Sequence, residues 1–334
     1  MTRALFLLLL VGVLGACAPR FEGAGLPMGP PMLTETHFQT ADGTSLPLQT
    51  WAPKGPPKAV LLAVHGFNDY SHFFDMPGGW LAEQGVLSLA YDQRHFGANK
   101  DPGRWAGAAT YQADLRAAAI AIKARYPGVP FYILGESMGG AIVMTALAGV
   151  EPPLADGIIL SAPAVWARET MPFYQTAVLW LAVRVAPGLK LSGKGLNIWP
   201  SDNMEMLKAL GADPLFIKKT RVDTLHGLVD LMDQALESAS AQRGPMLILY
   251  GAKDQIVPAK PTAEMLRRLA PGAGIQVAIY PNGYHMLLRD LQADVVWRDI
   301  LHWIETPGVV LPSGSEAHAP CATPPHPLDC APSS

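Results

Sequence analysis

At 334 residues the chain can bury a large core, enough for one long α/β domain or two smaller ones. Hydrophobic residues make up 49% and charged residues only 16%, with a formal net charge of −3, so a basic surface for nucleic acid is excluded. A mean hydropathy of +0.18 is apolar for a soluble protein, and part of the excess sits at the N-terminus.

Met1-Thr2-Arg3 is a short positive region, followed by apolar Ala4 to Val13 and then Leu14-Gly15-Ala16-Cys17. The apolar run is too short for a comfortable membrane span and has the layout of a secretory signal. Leu-Gly-Ala-Cys resembles the lipobox of bacterial lipoproteins. That resemblance implies a signal peptide at 1–16 that is removed and a mature chain beginning at acylated Cys17. It also implies a lipid anchor on a membrane of the bacterial cell envelope, facing the periplasm. Several acyl chains on one residue would hold the protein far better than a single myristoyl chain. Ordinary signal cleavage, with Cys17 an incidental residue, is the competing reading. Residues 17–34, rich in Gly and Pro, read as a flexible stalk.

His37 to Trp51 alternates well enough for one or two strands around an Asp42-Gly43 turn. Short apolar runs of strand length follow at 59–64, 86–90, 131–134, 157–160, 246–250 and 275–280. Helical segments are expected at 111–126, 141–147, 262–269 and 291–304. Apolar strands alternating with helices predict an α/β fold over 35–305, its sheet mostly parallel and covered on both faces. Between about 166 and 243 the rhythm breaks: no strand is expected, and 176–185 and 220–238 read as helices. An all-helical insertion there predicts a cap over the carboxyl edge of the sheet, where α/β proteins bind ligands. Leu179, Trp180, Leu181 and Val183 either wall a substrate pocket and touch lipid, or simply pack the cap onto the body.

Residues 306–334, rich in Pro, Ser and Ala, read as a disordered tail. In an oxidising compartment Cys321 and Cys330 would close a small disulfide loop; otherwise they are free thiols. With His318 and His326 they match no common zinc spacing, and no metal is expected.

The chemistry centres on Gly135-Glu136-Ser137-Met138-Gly139, a G-x-S-x-G pattern between a strand and a helix. Such a turn must reverse the chain within a few residues, leaving Ser137 strained with its hydroxyl above the sheet. Strand and helix crowd the turn, so Gly135 and Gly139 stand where a Cβ would clash. Met138 would open the helix with its N–H unpaired and aimed beside the serine oxygen. A serine hydroxyl needs a base, and the base an orienting acid. In this architecture they follow in the order Ser, Asp or Glu, His, each at the end of a strand. Asp254 and His285 occupy those loops, Asp254 to accept the Nδ1 proton and His285 to relay the proton of Ser137. His37, His72, His226, His302, His318 and His326 fail on order or placement, and His65 is expected to shape the loop carrying Phe67. The backbone N–H groups of Phe67 and Met138 are the expected oxyanion donors.

Together His65-Gly66-Phe67, Asp92-Gln93-Arg94, Gly135-Glu136-Ser137-Met138-Gly139-Gly140, Gly251-Ala252-Lys253-Asp254 and Tyr284-His285 resemble the monoacylglycerol lipase and lysophospholipase branch of the α/β-hydrolases, a serine aminopeptidase-like group. The resemblance covers roughly 35–305, cap included. It implies cleavage of a single-chain acyl ester through an acyl-Ser137 intermediate, with the chain in an apolar tunnel under the cap and no cofactor. Where relatives carry Asp-x-Arg-Gly-x-Gly this chain has Asp92-Gln93-Arg94-His95-Phe96-Gly97, so His95 is expected to alter that loop. Asp92 and Arg94 read as a structural ion pair.

The triad sets the chemistry and the pocket sets the substrate, so other readings stay open. A short-chain or aryl carboxylesterase differs only in pocket depth. A proline iminopeptidase-like peptidase would need cap carboxylates for a free amino terminus, with Glu169, Asp202, Glu205 and Asp230 available. A non-catalytic envelope lipoprotein that kept the fold is opposed by three intact triad positions.

Overall fold

The computed structural model describes residue 21 and residues 23–317. The expected signal peptide, Cys17, and the pair Cys321 and Cys330 lie outside the described residues. Among the described residues, eleven strands run in chain order as β1 (Met32–Leu33), β2 (His37–Gln39), β3 (Ser45–Trp51), β4 (Ala59–Val64), β5 (Val86–Tyr91), β6 (Phe131–Glu136), β7 (Gly157–Ser161), β8 (Lys190–Leu191), β9 (Thr220–Arg221), β10 (Met246–Gly251) and β11 (Ile275–Tyr280). The helices are α1 (Asp75–Glu83), α2 (Ala108–Arg125), α3 (Met138–Leu147), α4 (Phe173–Val185), α5 (Met204–Ala212), α6 (Val222–Glu237), α7 (Ala259–Arg268) and α8 (Ala293–Glu305).

Nine strands form one sheet in the order β1-β2-β3-β5-β4-β6-β7-β10-β11. From β5 to β11 neighbours are parallel, while β1, β2 and β3 join antiparallel at one side. Helices cover both faces, and β4 shows why its sequence is apolar at every position. Val60, Leu62 and Val64 enter the core beneath α2, α3 and α6, whereas Ala59, Leu61 and Ala63 enter the core beneath α1 and α8. A strand with period two must be apolar on both faces when both are covered. Register then fixes the site: Val64 pairs with Gly135, so the loops leaving β4 and β6 start side by side.

The strands outrun the apolar stretches by a residue or two. Glu136 still pairs with Ser161 and Gly251 with Tyr280, because ladder bonds continue where side chains turn polar or vanish. Two helices carry little sequence signal. α1 contains Pro77-Gly78-Gly79, and Gly78 lies flat against the Trp51 ring. α5 is held by its cap, Asn203 Oδ1 accepting from Met206 N at 3.1 Å.

Between β7 and β10 the insertion forms a helical cap of α4, α5 and α6 over the carboxyl edge. It is not all helical: β8 and β9 pair antiparallel over two residues, too short to leave any alternation in the sequence. The expected stalk and tail are also partly built into the body. β1 pairs with β2, and Met28 N donates to Ala41 O at 2.7 Å. Residues 306–317 run along the outer edge of β11, where Ser315 O accepts from Ile279 N at 2.8 Å and Ala317 N donates to Val277 O at 2.9 Å. Leu311 anchors that strip in the core at 2% exposure. Backbone pairing with an open edge, rather than composition, orders this Pro-rich segment.

Candidate active site

The turn between β6 and α3 has the crowding expected of it. A Cβ on Gly135 would fall 2.6 Å from the Gly139 carbonyl oxygen, and one on Gly139 would overlap the Val64 carbonyl. Ser137 takes φ 52° and ψ −114°, a conformation L-residues rarely adopt. Its neighbours hold it there: Ser137 N donates to Ser161 O at 3.0 Å, and Ala164 N donates to Ser137 O at 2.9 Å.

Three distant loops converge on this residue. His285 Nε2 lies 2.9 Å from Ser137 Oγ, and His285 Nδ1 lies 2.7 Å from Asp254 Oδ2. An ionised carboxylate only accepts, so Nδ1 carries the proton and Nε2 is free to accept from the serine hydroxyl. Asp254 Oδ1 accepts from Ile256 N at 2.7 Å and Val257 N at 3.0 Å, which fixes the carboxylate. Burial lowers the pKa of His285, but the charge and hydrogen bond of Asp254, helped by Glu136, outweigh it and leave the pKa raised. Beside the serine runs the loop after β4, close enough that a Cβ on Gly66 would lie 3.3 Å from Ser137 Cβ. Phe67 follows Gly66 on that loop, and Met138 opens α3 with no acceptor one turn back. Sequence and structure therefore bring Ser137, Asp254, His285, Phe67, Met138, Gly135 and Gly139 to one place.

The loops around the site differ from expectation in one pairing. Asp92 and Arg94 do not pair. Asp92 is buried and accepts from Ser71 N and Ala98 N, both at 2.9 Å. Arg94 instead bridges Asp114 at 2.7 Å and Asp42 at 2.9 Å. His95 adopts φ 65°, the left-handed conformation that favours glycine, so the substitution leaves a strained residue in this loop. His65 shapes its loop as expected: Nε2 accepts from Gln93 N at 3.0 Å, which leaves Nδ1 to donate to Gly66 O at 2.7 Å. Burial lowers the His65 pKa. His72 sits on the surface against Asp75, and His226 pairs with Asp230 in the cap.

Sequence reading missed a buried charged cluster behind the serine. Arg289 Nη2 donates to Asp69 Oδ2 at 2.7 Å and to Glu136 Oε1 at 3.0 Å. Its only sequence signal is an arginine in the apolar run Met286-Leu287-Leu288 just after His285. Asp290 is buried alongside, accepting from Ser201 Oγ at 2.6 Å and Tyr284 N at 2.7 Å, and burial pushes its pKa up to about 6.

Comparison with known proteins agrees with this geometry. The family described as "Serine aminopeptidase, S33" matches residues 55–292. The chain is 25% identical to the monoacylglycerol lipase of Mycolicibacterium smegmatis over 279 residues, 81% of this chain and 96% of that protein. It is 28% identical to the human monoglyceride lipase over 279 residues, 80% of this chain and 89% of the relative. Among solved structures, a soluble variant of monoglyceride lipase from Saccharomyces cerevisiae superposes with a TM-score of 0.68 at 18% identity, covering 87% of this chain and 99% of that one. The family match spans more than half the sequence, from β4's approach to the histidine loop, and the chain belongs to the serine aminopeptidase, S33, family, as an α/β-hydrolase related to the monoglyceride lipases.

Proposed function

We propose that the protein is a serine hydrolase of carboxylic esters whose acyl group comes from a single-chain lipid, a monoacylglycerol or a lysophospholipid. The observation that carries the hydrolase reading is the line from Ser137 through His285 to Asp254, with contacts of 2.9 and 2.7 Å. His285 takes the hydroxyl proton as Ser137 Oγ attacks the ester carbonyl, and Asp254 stabilises the imidazolium. The Phe67 and Met138 N–H groups receive the oxyanion. The imidazolium returns its proton to the departing alcohol, and water then cleaves the acyl-Ser137 ester by the same route in reverse.

The lipid reading draws support from the named lipases among the relatives and from an apolar cap. The peptidase reading suggested by the family's description is weakened by the state of the cap carboxylates. Glu169 pairs with Arg268, Asp230 pairs with Arg168 at 2.7 Å, and Asp202 Oδ1 accepts from Leu291 N at 2.9 Å. At these three of the four cap carboxylates, Glu205 being the fourth, a free amino terminus would have to displace partners already in place. We further propose attachment to a membrane of the cell envelope through acylated Cys17.

A p-nitrophenyl ester series from acetyl to palmitoyl tests the substrate class. Medium to long acyl chains should turn over with the highest kcat/KM, and Ser137→Ala should abolish turnover while the circular dichroism spectrum stays unchanged. A maximum at acetyl would make the protein a short-chain esterase, and turnover by the alanine variant would remove Ser137 from its role.

A further inference from the structure

The cap stands on the histidine loop through a short strap, residues 199–203, just ahead of α5. Each residue of the strap is bonded to a loop that carries part of the triad. Trp199 N donates to Gln255 Oε1 at 3.0 Å, next to Asp254. Pro200 O accepts from Met286 N at 2.9 Å, next to His285. Ser201 Oγ donates to Asp290 Oδ1 at 2.6 Å, Asp202 Oδ1 accepts from Leu291 N at 2.9 Å, and Asn203 Nδ2 donates to Arg289 O at 3.0 Å. The helix α5 that follows has no buried residue. Hydrogen bonds at its ends hold it where core packing does not, the strap at one end and Tyr70 Oη to Asp213 Oδ2 at the other.

Strap and base loop meet at Asp290. Its Oδ2 accepts from Tyr284 N at 2.7 Å, one residue before His285, while its Oδ1 takes the Ser201 hydroxyl. The segment from Tyr284 to Asp290 is therefore a turn closed on itself by one carboxyl group, with His285 inside it. Ser201 and Asp290 are 1% and 5% exposed. Ser201 Oγ also accepts from Asn203 N at 3.1 Å, which fixes the direction of its own proton. A carboxyl group taken out of water costs stability unless its oxygens find donors. Here the donors are the backbone beside the histidine and the cap. The turn also leans on the acid loop, where Lys253 N donates to Gly283 O at 2.9 Å. His285 must keep its ring nitrogens 2.9 Å from Ser137 and 2.7 Å from Asp254, and a misplacement of about 1 Å can cost about 100-fold in rate.

We infer that Asp290 is a positioning residue for His285, holding the histidine turn in line with Ser137 by bonding Tyr284 N on one side and, through Ser201, the cap on the other. Asp254 orients the imidazole ring; Asp290 sets where the backbone that carries the ring stands. The cap is then part of the mounting of the base as well as a cover over the site. The inference rests on the serine hydrolase reading and adds to it a carboxyl group outside the triad.

The test uses p-nitrophenyl acetate, whose acyl group is too short to need the cap, together with labelling of Ser137 by a fluorophosphonate. Asp290→Ala should lower kcat and the labelling rate about 100-fold, with KM unchanged. Asp290→Asn keeps an acceptor for Tyr284 N and offers a donor to Ser201 Oγ, so it should recover most of the lost rate. Ser201→Ala cuts only the cap side and should give a smaller loss, again in kcat. A role in stability alone would lower the urea midpoint of these variants and leave kcat of the folded protein at the wild-type value. Wild-type labelling in folded Asp290→Ala or folded Ser201→Ala overturns the inference and leaves the hydrolase reading standing. A rise in KM with kcat intact, or an asparagine variant as slow as the alanine one, does the same. Should Asp290→Ala fail to fold, Ser201→Ala still decides. Absence of labelling at Ser137 in the wild-type protein overturns both.

Discussion

At the residue scale the site is a contest between burial and charge around one imidazole. Burial alone would lower the pKa of His285, and Asp254 reverses the sign. The rate for a soluble ester should therefore rise with pH through a limb above the ordinary histidine value of about 6.5. Asp254→Asn keeps the shape and removes the largest influence favouring the cation, leaving Glu136 alone against burial, so the limb should move to lower pH. The wrong ring tautomer would also lower kcat by roughly 10⁴-fold. A limb that does not move in the variant would assign the shift to another group. Ser137, Asp254 and His285 were legible from sequence because strand ends and chain order restrict where such residues fall. The partners of Arg94 were not. Asp42 and Asp114 lie 52 and 20 residues away, and nothing local distinguishes them from Asp92 two positions off. Arg289 stayed hidden for a related reason: a charge buried with its partners leaves no periodic trace.

At the scale of elements, whatever buries apolar faces on both sides could be read directly. β4, β6, β7, β10 and β11 were evident as apolar runs for that reason. Elements that depend on a distant partner could not be read. The pairing of β8 with β9 and the strip over the β11 edge rest on backbone bonds, which any sequence can make. The edge strip supports a prediction about stability. Leu311 is 2% exposed in the core beneath α8, and Glu316 pairs opposite Ala278 on β11. Leu311→Ala should cost about 2–5 kcal/mol of unfolding free energy, read from urea denaturation, as a buried leucine does elsewhere. If the segment were only resting on the surface, the loss would be under about 0.5 kcal/mol, the usual range for surface substitutions. Light scattering should rise in the same variant if the β11 edge is uncovered.

For the whole molecule the question is how a buried serine meets a lipid. Among the described residues no helix is long and apolar enough to cross a membrane. The cap nevertheless exposes Phe173, Trp180, Leu181, Leu196 and Trp199. Between residues 170 and 201 the only charged side chains are Arg184, Lys190 and Lys194, all cationic. Arg184 lies over the Trp180 ring, its Cζ 3.9 Å from the ring centroid. Aromatic and aliphatic side chains mixed with cations, and no acid, suit a bilayer interface with anionic head groups. The N-terminal segment is tied to α2, next to the loop that packs on the cap helix α6. Ala24 N donates to Thr110 Oγ1 at 3.1 Å, just after Trp105, whose ring packs on Gly227 of the cap helix α6. The proposed anchor at Cys17 is four residues from Phe21, a span of at most about 14 Å. An anchor at Cys17 would hold the protein at the membrane, and the exposed apolar and cationic cap residues would give it a second contact there. Unlipidated Cys17→Ala protein should still bind vesicles containing anionic lipid in a flotation assay. Three cations at about 1 kcal/mol each predict binding roughly 100-fold weaker on neutral vesicles. Trp180→Ser with Trp199→Ser should abolish flotation and leave hydrolysis of a soluble acetyl ester intact. Flotation equal on neutral and anionic vesicles would discard the role of the cations, and flotation unchanged in the serine pair would move the contact surface off the cap.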